Sequence, residues 1–292
     1  VHATSGVECW VWKPPTPAEE TRPLVLLPGA GFGLTSFLPL ALLLQYRLAG
    51  RSIVLYRLPW VEMCRPWVLL PQWSAVMEGF MLGFDEIGLS GREIDVLGHS
   101  YGTAVANRLL RELCSLSEAD SSTDPQKTLS SSPPRVHFLG LLDPIVLGGA
   151  STGLSGFTIN QVGPDLSFAF CGNRAGNGSK EILDYDPCMH GQCLGGISVY
   201  MSAHDQLVDV DLARHILVKD VVPADGGGGS CSRSHVQLCV DRTEDSFHGR
   251  WLVEIWGGGL VWGAPCAKNC LDLLAVRLGL EVQHQTVTQN RL

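Results

Sequence analysis

One serine stands where its hydroxyl could act as a nucleophile. Residues 98–102 read Gly-His-Ser-Tyr-Gly, after an apolar run typical of a strand and before a helical pattern. A sharp strand-to-helix turn lifts such a hydroxyl above a sheet edge, and it needs small neighbours, which Gly98 and Gly102 provide. The N-terminus of the following helix would supply the positive end of its dipole and a free backbone N–H from Tyr101. The spacing predicts that Ser100 is a nucleophile, against the alternative of a Gly-bounded turn with an inert serine.

A serine hydroxyl needs a base, and the base needs an acid that orients it. His248 follows the last strand-like run and precedes a helical pattern, so its imidazole can reach the serine. Asp205 follows one predicted strand. Asp143 follows another and directly precedes a proline. We expect Asp205 to be the acid by its order and position along the chain. Asp143 is the alternative acid, although an Asp before Pro often only forms a turn or caps a helix.

Acyl transfer also requires two backbone N–H groups for the oxyanion. Tyr101 would provide one. Ala30 or Gly31, in the Gly-rich loop of residues 29–33, would provide the other. This loop lacks both the Gly-x-Gly-x-x-Gly and the Gly-x-x-x-x-Gly-Lys-Ser patterns, which disfavours a dinucleotide or ATP site.

The candidate residues stand at the ends of elements that alternate between strand and helix. Apolar runs predict strands at residues 7–13, 23–28, 52–58, 93–97, 135–142, 197–201 and 236–240. Helical patterns lie between most of them, including one from Ser36 to Ala49 that Thr35 would cap. We predict an α/β domain with an open, mostly parallel sheet and helices on both faces. In such a sheet the chemistry lies at the carboxyl ends of the strands.

Composition narrows the classes of function. The 292 residues are 45% hydrophobic, which is ample for a core, and the net charge of −8 without a basic stripe disfavours a nucleic-acid partner. No apolar run approaches the ~20 residues of a membrane span.

The ten cysteines are mostly scattered in apolar segments, which is typical of reduced thiols, so we expect an intracellular protein, cytoplasmic or organellar. Cys188, His190 and Cys193 lack the fourth ligand and the Cys-x-x-Cys knuckle of a zinc site. We therefore expect no metal and no organic cofactor, and the sequence does not indicate an oligomeric state.

Four segments together resemble the α/β-hydrolase fold superfamily, in the expected order over about residues 23–280: residues 28–33, 98–102, 202–208 and 247–249. Residues 99–103 and 142–145 are similar to a poorly characterised group of fungal, plant and algal hydrolases. Many relatives carry His-Gly in the oxyanion loop, where this chain has Pro-Gly.

The resemblance implies a hydrolase core of residues 1–147 and 197–292, with a short Gly-rich cap at residues 148–196. Four aromatic residues would line an apolar acyl pocket, or else fill the cap's own small core: Trp60, Phe157, Phe168 and Phe170.

These expectations lead to a serine hydrolase that cleaves small or medium acyl esters or thioesters through an acyl-enzyme. The serine, where epoxide hydrolases and dehalogenases of this fold carry Asp, disfavours those activities. Two alternatives remain open: a non-catalytic receptor or scaffold of the same fold, and a lyase or acyltransferase that uses the same triad.

Overall fold

The computed structural model describes residues 6–14, 21–29, 34–48, 50–61, 72–120, 132–144, 196–205, 208, 210–211, 213–214, 236–244, 246–257 and 264–278. Seven strands lie in these ranges: β1 Glu8–Trp12, β2 Leu24–Leu27, β3 Ile53–Arg57, β4 Glu93–His99, β5 Arg135–Leu142, β6 Gly196–Ser202 and β7 Val236–Asp241. The helices there are α1 Leu34–Arg47, α2 Trp73–Glu86, α3 Tyr101–Asp120, α4 Arg250–Trp256 and α5 Pro265–Leu278, with a 3₁₀ turn at Pro59–Val61.

The strands form one sheet in the order β1-β3-β2-β4-β5-β6-β7. β1 pairs with β3 in the antiparallel direction, and the other neighbours are parallel. The predicted mostly parallel sheet is therefore confirmed, with the first strand at its edge.

Successive residues of each central strand enter different cores, because side chains alternate between the two faces of a sheet. In β2, Leu24 and Leu26 pack with residues of α1, α4 and α5. Val25 and Leu27 pack with residues of α2 and α3 on the opposite face. Both faces are covered by helices, which explains why these strands are nearly continuous apolar runs.

α1 begins earlier than the sequence suggests. The predicted helix starts at Ser36 with Thr35 as its cap, but α1 starts at Leu34 and Thr35 lies within its first turn. An earlier start buries Leu34 in the core and leaves Thr35 exposed. Burial of an apolar side chain thus outweighs the capping signal here.

Parallel pairing brings the carboxyl ends of four strands to one edge of the sheet. His99 of β4 is in register with Leu142 of β5, and Leu142 is in register with Tyr200 of β6. Ser202 of β6 is in register with Asp241 of β7. The segments that follow these strands therefore start side by side.

The predicted cap at residues 148–196 lies outside the described residues, apart from its last residue, so the division into core and cap stays a prediction. Each helix in the described part of the chain falls short of the length or the apolarity that crossing a membrane requires.

Candidate active site

Ser100 occupies the turn between β4 and α3, and its backbone is held from both sides. Its φ is 51°, in the left-handed region that non-glycine residues rarely adopt. Its N–H donates to the Leu142 carbonyl at 3.0 Å. Its own carbonyl accepts the Thr103 N–H at 3.0 Å and the Thr103 hydroxyl at 2.6 Å. Strain of this kind persists only where the surrounding structure fixes it.

Close backbone contacts explain the glycines around the serine. A Cβ on Gly102 would lie 2.0 Å from the Leu27 carbonyl oxygen, and one on Gly98 would lie 2.7 Å from the Gly102 carbonyl oxygen. A Cβ on Gly29 would lie 2.9 Å from the Ser100 Cβ. The start of the Gly-rich loop therefore touches the turn that carries the serine.

The structure brings His248 and Asp205 together. His248 lies between β7 and α4, and its Nδ1 is 2.7 Å from the Asp205 Oδ2. The other oxygen of Asp205 accepts the Val208 N–H at 3.0 Å. The Asp205 side chain is fully buried, and that of His248 is 14% exposed. Burial lowers the pKa of His248, but the hydrogen bond and charge of Asp205 and the charge of Asp143 together raise it above its ordinary value.

The second ring nitrogen of His248 lacks a hydrogen-bond partner within the described part of the chain. Nε2 is buried and makes no hydrogen bond to any residue that the structure describes, Ser100 included. The His248 ring lies 5.4 Å from the ring of His99, which immediately precedes the serine. Contacts between a base and its nucleophile are often long in a free enzyme and shorten when substrate binds.

Asp143 lies in the same cluster but has different partners. It follows β5 with a φ of 46° and is fully buried. Its Oδ1 accepts the N–H and hydroxyl of Ser202, and its Oδ2 accepts the Gly249 N–H and the Trp251 indole N–H. Burial is the largest influence on its pKa and raises it, and the His248 charge and the backbone donors offset this only in part.

Three side chains of this cluster also have the composition of a metal site. Asp143, Asp205 and His248 each bring one ligand-type atom within 4.8 Å of the others. Both oxygens of Asp143 already accept hydrogen bonds, and the Asp205 Oδ2 lies at hydrogen-bond distance from the histidine. The set therefore fits a hydrogen-bonded acid–base cluster.

A second imidazole, that of His99, lies in the site beside His248. His99 is buried between Phe37, Trp251 and His248, with ring centroids 5.4 to 5.6 Å apart. Neither of its nitrogens has a hydrogen-bond partner among the described residues. Burial, and then the charge of His248, holds the pKa of His99 well below its usual value, so the ring is neutral. The position of His99 within residues 98–102 places it beside the serine, but a local motif does not indicate which distant aromatic residues pack around it.

Among the other predicted residues, Tyr101 is the first residue of α3, directly after the serine. Trp60 is 2% exposed and packs in the core on the side of α2 and α3. The rest lie outside the described residues: Ala30, Gly31, Phe157, Phe168 and Phe170.

A cavity of about 340 Å³ borders the acid. Its lining combines valines with two arginines and two aspartates: Ala203, Asp205, Val208, Val210, Asp211, Arg214, Val240 and Arg242. Trp60 is not among the described residues that line this space.

No protein-family model and no curated protein matches the chain. Solved structures do match it. An α/β-hydrolase enzyme from a Medee basin deep-sea metagenome library has 8% identity and a TM-score of 0.50, over 90% of this chain and 93% of that one. A monoacylglycerol lipase from Paleococcus ferrophilus has 12% identity and a TM-score of 0.49, over 89% and 99%. An esterase from Pyrococcus furiosus has 12% identity and a TM-score of 0.49, over 86% and 81%.

Identities this low bear on the fold alone, and they give no support to the fungal, plant and algal group. The sheet order, the strained serine after β4 and the metagenome enzyme's similarity over most of both chains agree with one another. The chain has the α/β-hydrolase fold.

Proposed function

We propose that this protein is a hydrolase that cleaves a carboxylic ester or thioester through Ser100, His248 and Asp205. The observation that carries the proposal is the 2.7 Å contact between the His248 Nδ1 and the Asp205 Oδ2, at the sheet edge that holds a strained serine. A carboxylate at that nitrogen fixes the tautomer in which Nε2 is free to accept a proton. The structural similarity to hydrolases and esterases is in keeping with this chemistry.

In the proposed reaction, the Ser100 hydroxyl attacks the substrate carbonyl while the His248 Nε2 takes its proton. The imidazolium that forms is stabilised by Asp205, and it returns the proton to the leaving alcohol or thiol. Water, activated by the same nitrogen, then releases the acyl group from the serine. The raised pKa of His248 favours the protonated intermediate state of the base.

The oxyanion would be held by the Tyr101 N–H and by a second N–H from Ala30 or Gly31. The position of Tyr101 directly after the serine supports the first donor. The closeness of Gly29 to Ser100, where an added Cβ would lie 2.9 Å from the Ser100 Cβ, supports the second, because the loop begins beside the nucleophile.

The substrate class is a small or medium apolar acyl group beneath a cap at residues 148–196. Phe157, Phe168 and Phe170 are the proposed lining residues. Trp60 is a weaker candidate, because it is almost fully buried in the core between helices.

Turnover of p-nitrophenyl esters of graded acyl length tests this function. Ser100→Ala is expected to lower kcat by about 10⁴-fold or more, as loss of a triad nucleophile does. Ser198→Ala is the matched control, since Ser198 is a fully buried serine within β6 and has no proposed role. Equal rates for wild type and Ser100→Ala across the ester panel would end the proposal.

A non-catalytic receptor of the same fold is the second candidate. The observation in its favour is that the His248 Nε2 makes no hydrogen bond to Ser100. A receptor would turn over none of the esters and would leave Ser100 unreactive toward a fluorophosphonate probe, whereas a hydrolase forms a covalent adduct.

A further inference from the structure

The proposed reaction gives no role to Asp143, a buried carboxylate whose charge acts on His248. Asp143 is fully buried, yet each of its carboxylate oxygens accepts two hydrogen bonds. Oδ1 accepts the Ser202 N–H at 2.9 Å and the Ser202 hydroxyl at 3.1 Å. Oδ2 accepts the Gly249 N–H at 2.8 Å and the Trp251 indole N–H at 3.1 Å. Four hydrogen bonds to one buried carboxylate fix the positions of the groups that donate them.

The two oxygens face two different segments, and these segments carry the acid and the base. On one side, the Ser202 carbonyl accepts the Asp205 N–H at 3.0 Å, so Ser202 begins the turn that presents Asp205. On the other side, Gly249 directly follows His248 and precedes α4. One carboxylate thus joins the acid turn to the histidine segment.

We propose that Asp143 is a positioning residue: its Oδ1 holds the acid turn and its Oδ2 holds the histidine segment, so that Asp205 and His248 meet in the productive geometry. The proposal rests on the hydrolase function proposed above. Asp143 touches no reacting atom in this account, because the His248 Nδ1 is engaged by Asp205 at 2.7 Å.

A simple turn former does not explain these contacts. A turn residue would be exposed, and its φ of 46° would be met at less cost by glycine or asparagine. A carboxylate presents two acceptor oxygens, whereas the amide of asparagine presents one oxygen and one donor. In Asp143→Asn, the amide NH₂ would therefore face the hydrogen-bond donors of one of the two segments, and the hydrogen bonds to that segment would be lost.

The charge of Asp143 has a second consequence for His248. Within the described ranges, the titratable groups that face this imidazole are Asp205 from the segment after β6, Asp143 from the segment after β5 and the neutral His99 from β4. Burial lowers the pKa of His248, while Asp205 and Asp143 raise it. Removal of the Asp143 charge should therefore lower that pKa, whereas removal of a buried carboxylate that does not face His248 should leave it unchanged.

The test compares Asp143→Asn with Asp241→Asn. Asp241 is the matched control because it is also a buried carboxylate at a strand end, but it accepts from Tyr200 and Thr243 and bonds to neither Asp205 nor His248. The pKa of His248 is measured by NMR titration of its ring protons, and kcat and KM are measured on p-nitrophenyl butyrate.

We expect Asp143→Asn to lower kcat by about tenfold to a hundredfold with little change in KM, as misplaced catalytic groups do. We also expect the pKa of His248 to fall by about half a unit or more. Asp241→Asn should leave both values unchanged. An unchanged kcat or an unchanged histidine pKa in Asp143→Asn, or equal effects in Asp241→Asn, would overturn the proposal.

Two milder variants decide the matter if Asp143→Asn does not fold. Ser202→Ala and Trp251→Phe each remove one side-chain donor to Asp143, one on either side of the carboxylate. Each should lower kcat more than KM rises, and full activity in both would count against the proposal. The titration needs no turnover, so a wild type that cleaves no ester would defeat the proposed function while the histidine pKa still tested the role of Asp143.

Discussion

Two buried carboxylates at opposite ends of the sheet are held in opposite ways. Asp95 is in register with Leu24, at the amino end of the strands, and it pairs with the guanidinium groups of Arg51 and Arg22. Among the described residues, no arginine or lysine reaches Asp143 at the carboxyl end; its direct partners are neutral N–H and O–H donors. At the amino end, two arginines neutralise the buried charge of Asp95. At the carboxyl end, the negative charge of Asp143 lies beside the His248 imidazole without a cationic partner of this kind in the described ranges.

Backbone strain follows the same division. Left-handed positions just before or at the start of strands are glycines, as at Gly50, Gly91 and Gly196. At the carboxyl end, Ser100 and Asp143 adopt such positions without being glycine, the two such cases in the described part of the chain. Strain that a glycine would have avoided is thus retained at the two residues for which we propose roles in the reaction. The amino end of the sheet thus holds its buried carboxylate in ion pairs, whereas the carboxyl end holds strained residues at the site that we propose to be catalytic.

The amino end should show the largest effect on stability. Arg51→Met leaves a fully buried carboxylate with Arg22, whose side chain is 35% exposed, and loss of one partner of a buried pair costs about 3–5 kcal/mol. Lys268→Met removes an exposed pair with Asp272 and should cost less than about 1 kcal/mol. Urea denaturation measures both. A loss below about 1 kcal/mol for Arg51→Met would mean that the ion pair is not what stabilises this end.

The pH dependence of stability should separate the two neighbouring imidazoles. The pKa of His99 in the folded state lies far below its usual value. Its contribution to the free energy of unfolding is therefore complete above about pH 6.5 and is lost as the pH falls below that value. For this single group the slope is about 1.4 kcal/mol per pH unit. His99→Leu should therefore lose stability less steeply than wild type between pH 6 and pH 4.

His248 should give the opposite sign. Its folded-state pKa is raised, so its contribution is present below the unfolded pKa and is lost as the pH rises through the folded one. The deficit of His248→Gln relative to wild type should shrink above pH 6.5. Urea unfolding at several pH values measures both variants, and curves parallel to wild type would contradict this account of the two rings.

The smallest of these effects is a gain in stability. Ser100→Gly relieves a left-handed φ that costs a side chain about 1–2 kcal/mol, partly offset by the greater freedom of glycine in the unfolded chain. We expect a net gain of about 0.5–1 kcal/mol, which Ser100→Ala, with its Cβ retained, should not show. If the two variants are equally stable, the turn is not strained by its serine.

The sequence contained enough to predict the sheet and the serine turn, because their signals are local. Leu24 to Leu27 form a strand that is buried on both faces, and a short apolar run predicts such a strand directly. The Gly-His-Ser-Tyr-Gly turn needs only adjacent residues to be recognised.

The partners of Asp143 were beyond such inference. Its contacts with Ser202 and Trp251 span 59 and 108 residues of chain, and their formation depends on how two later segments pack. The predicted start of α1 was also wrong, because the helix begins where Leu34 can be buried and not at the cap that Thr35 suggested. The neutral state of His99 likewise arises from three aromatic neighbours on different elements.

Covalent labelling with a fluorophosphonate, followed by intact-mass measurement, tests the reactive serine directly. We predict one adduct per chain in wild type and in Ser198→Ala, none in Ser100→Ala, and much slower labelling in His248→Ala, because the imidazole that accepts the proton is gone. A wild type that stays unlabelled, or a Ser100→Ala variant labelled as fast as wild type, would contradict the reaction proposed at this end of the sheet.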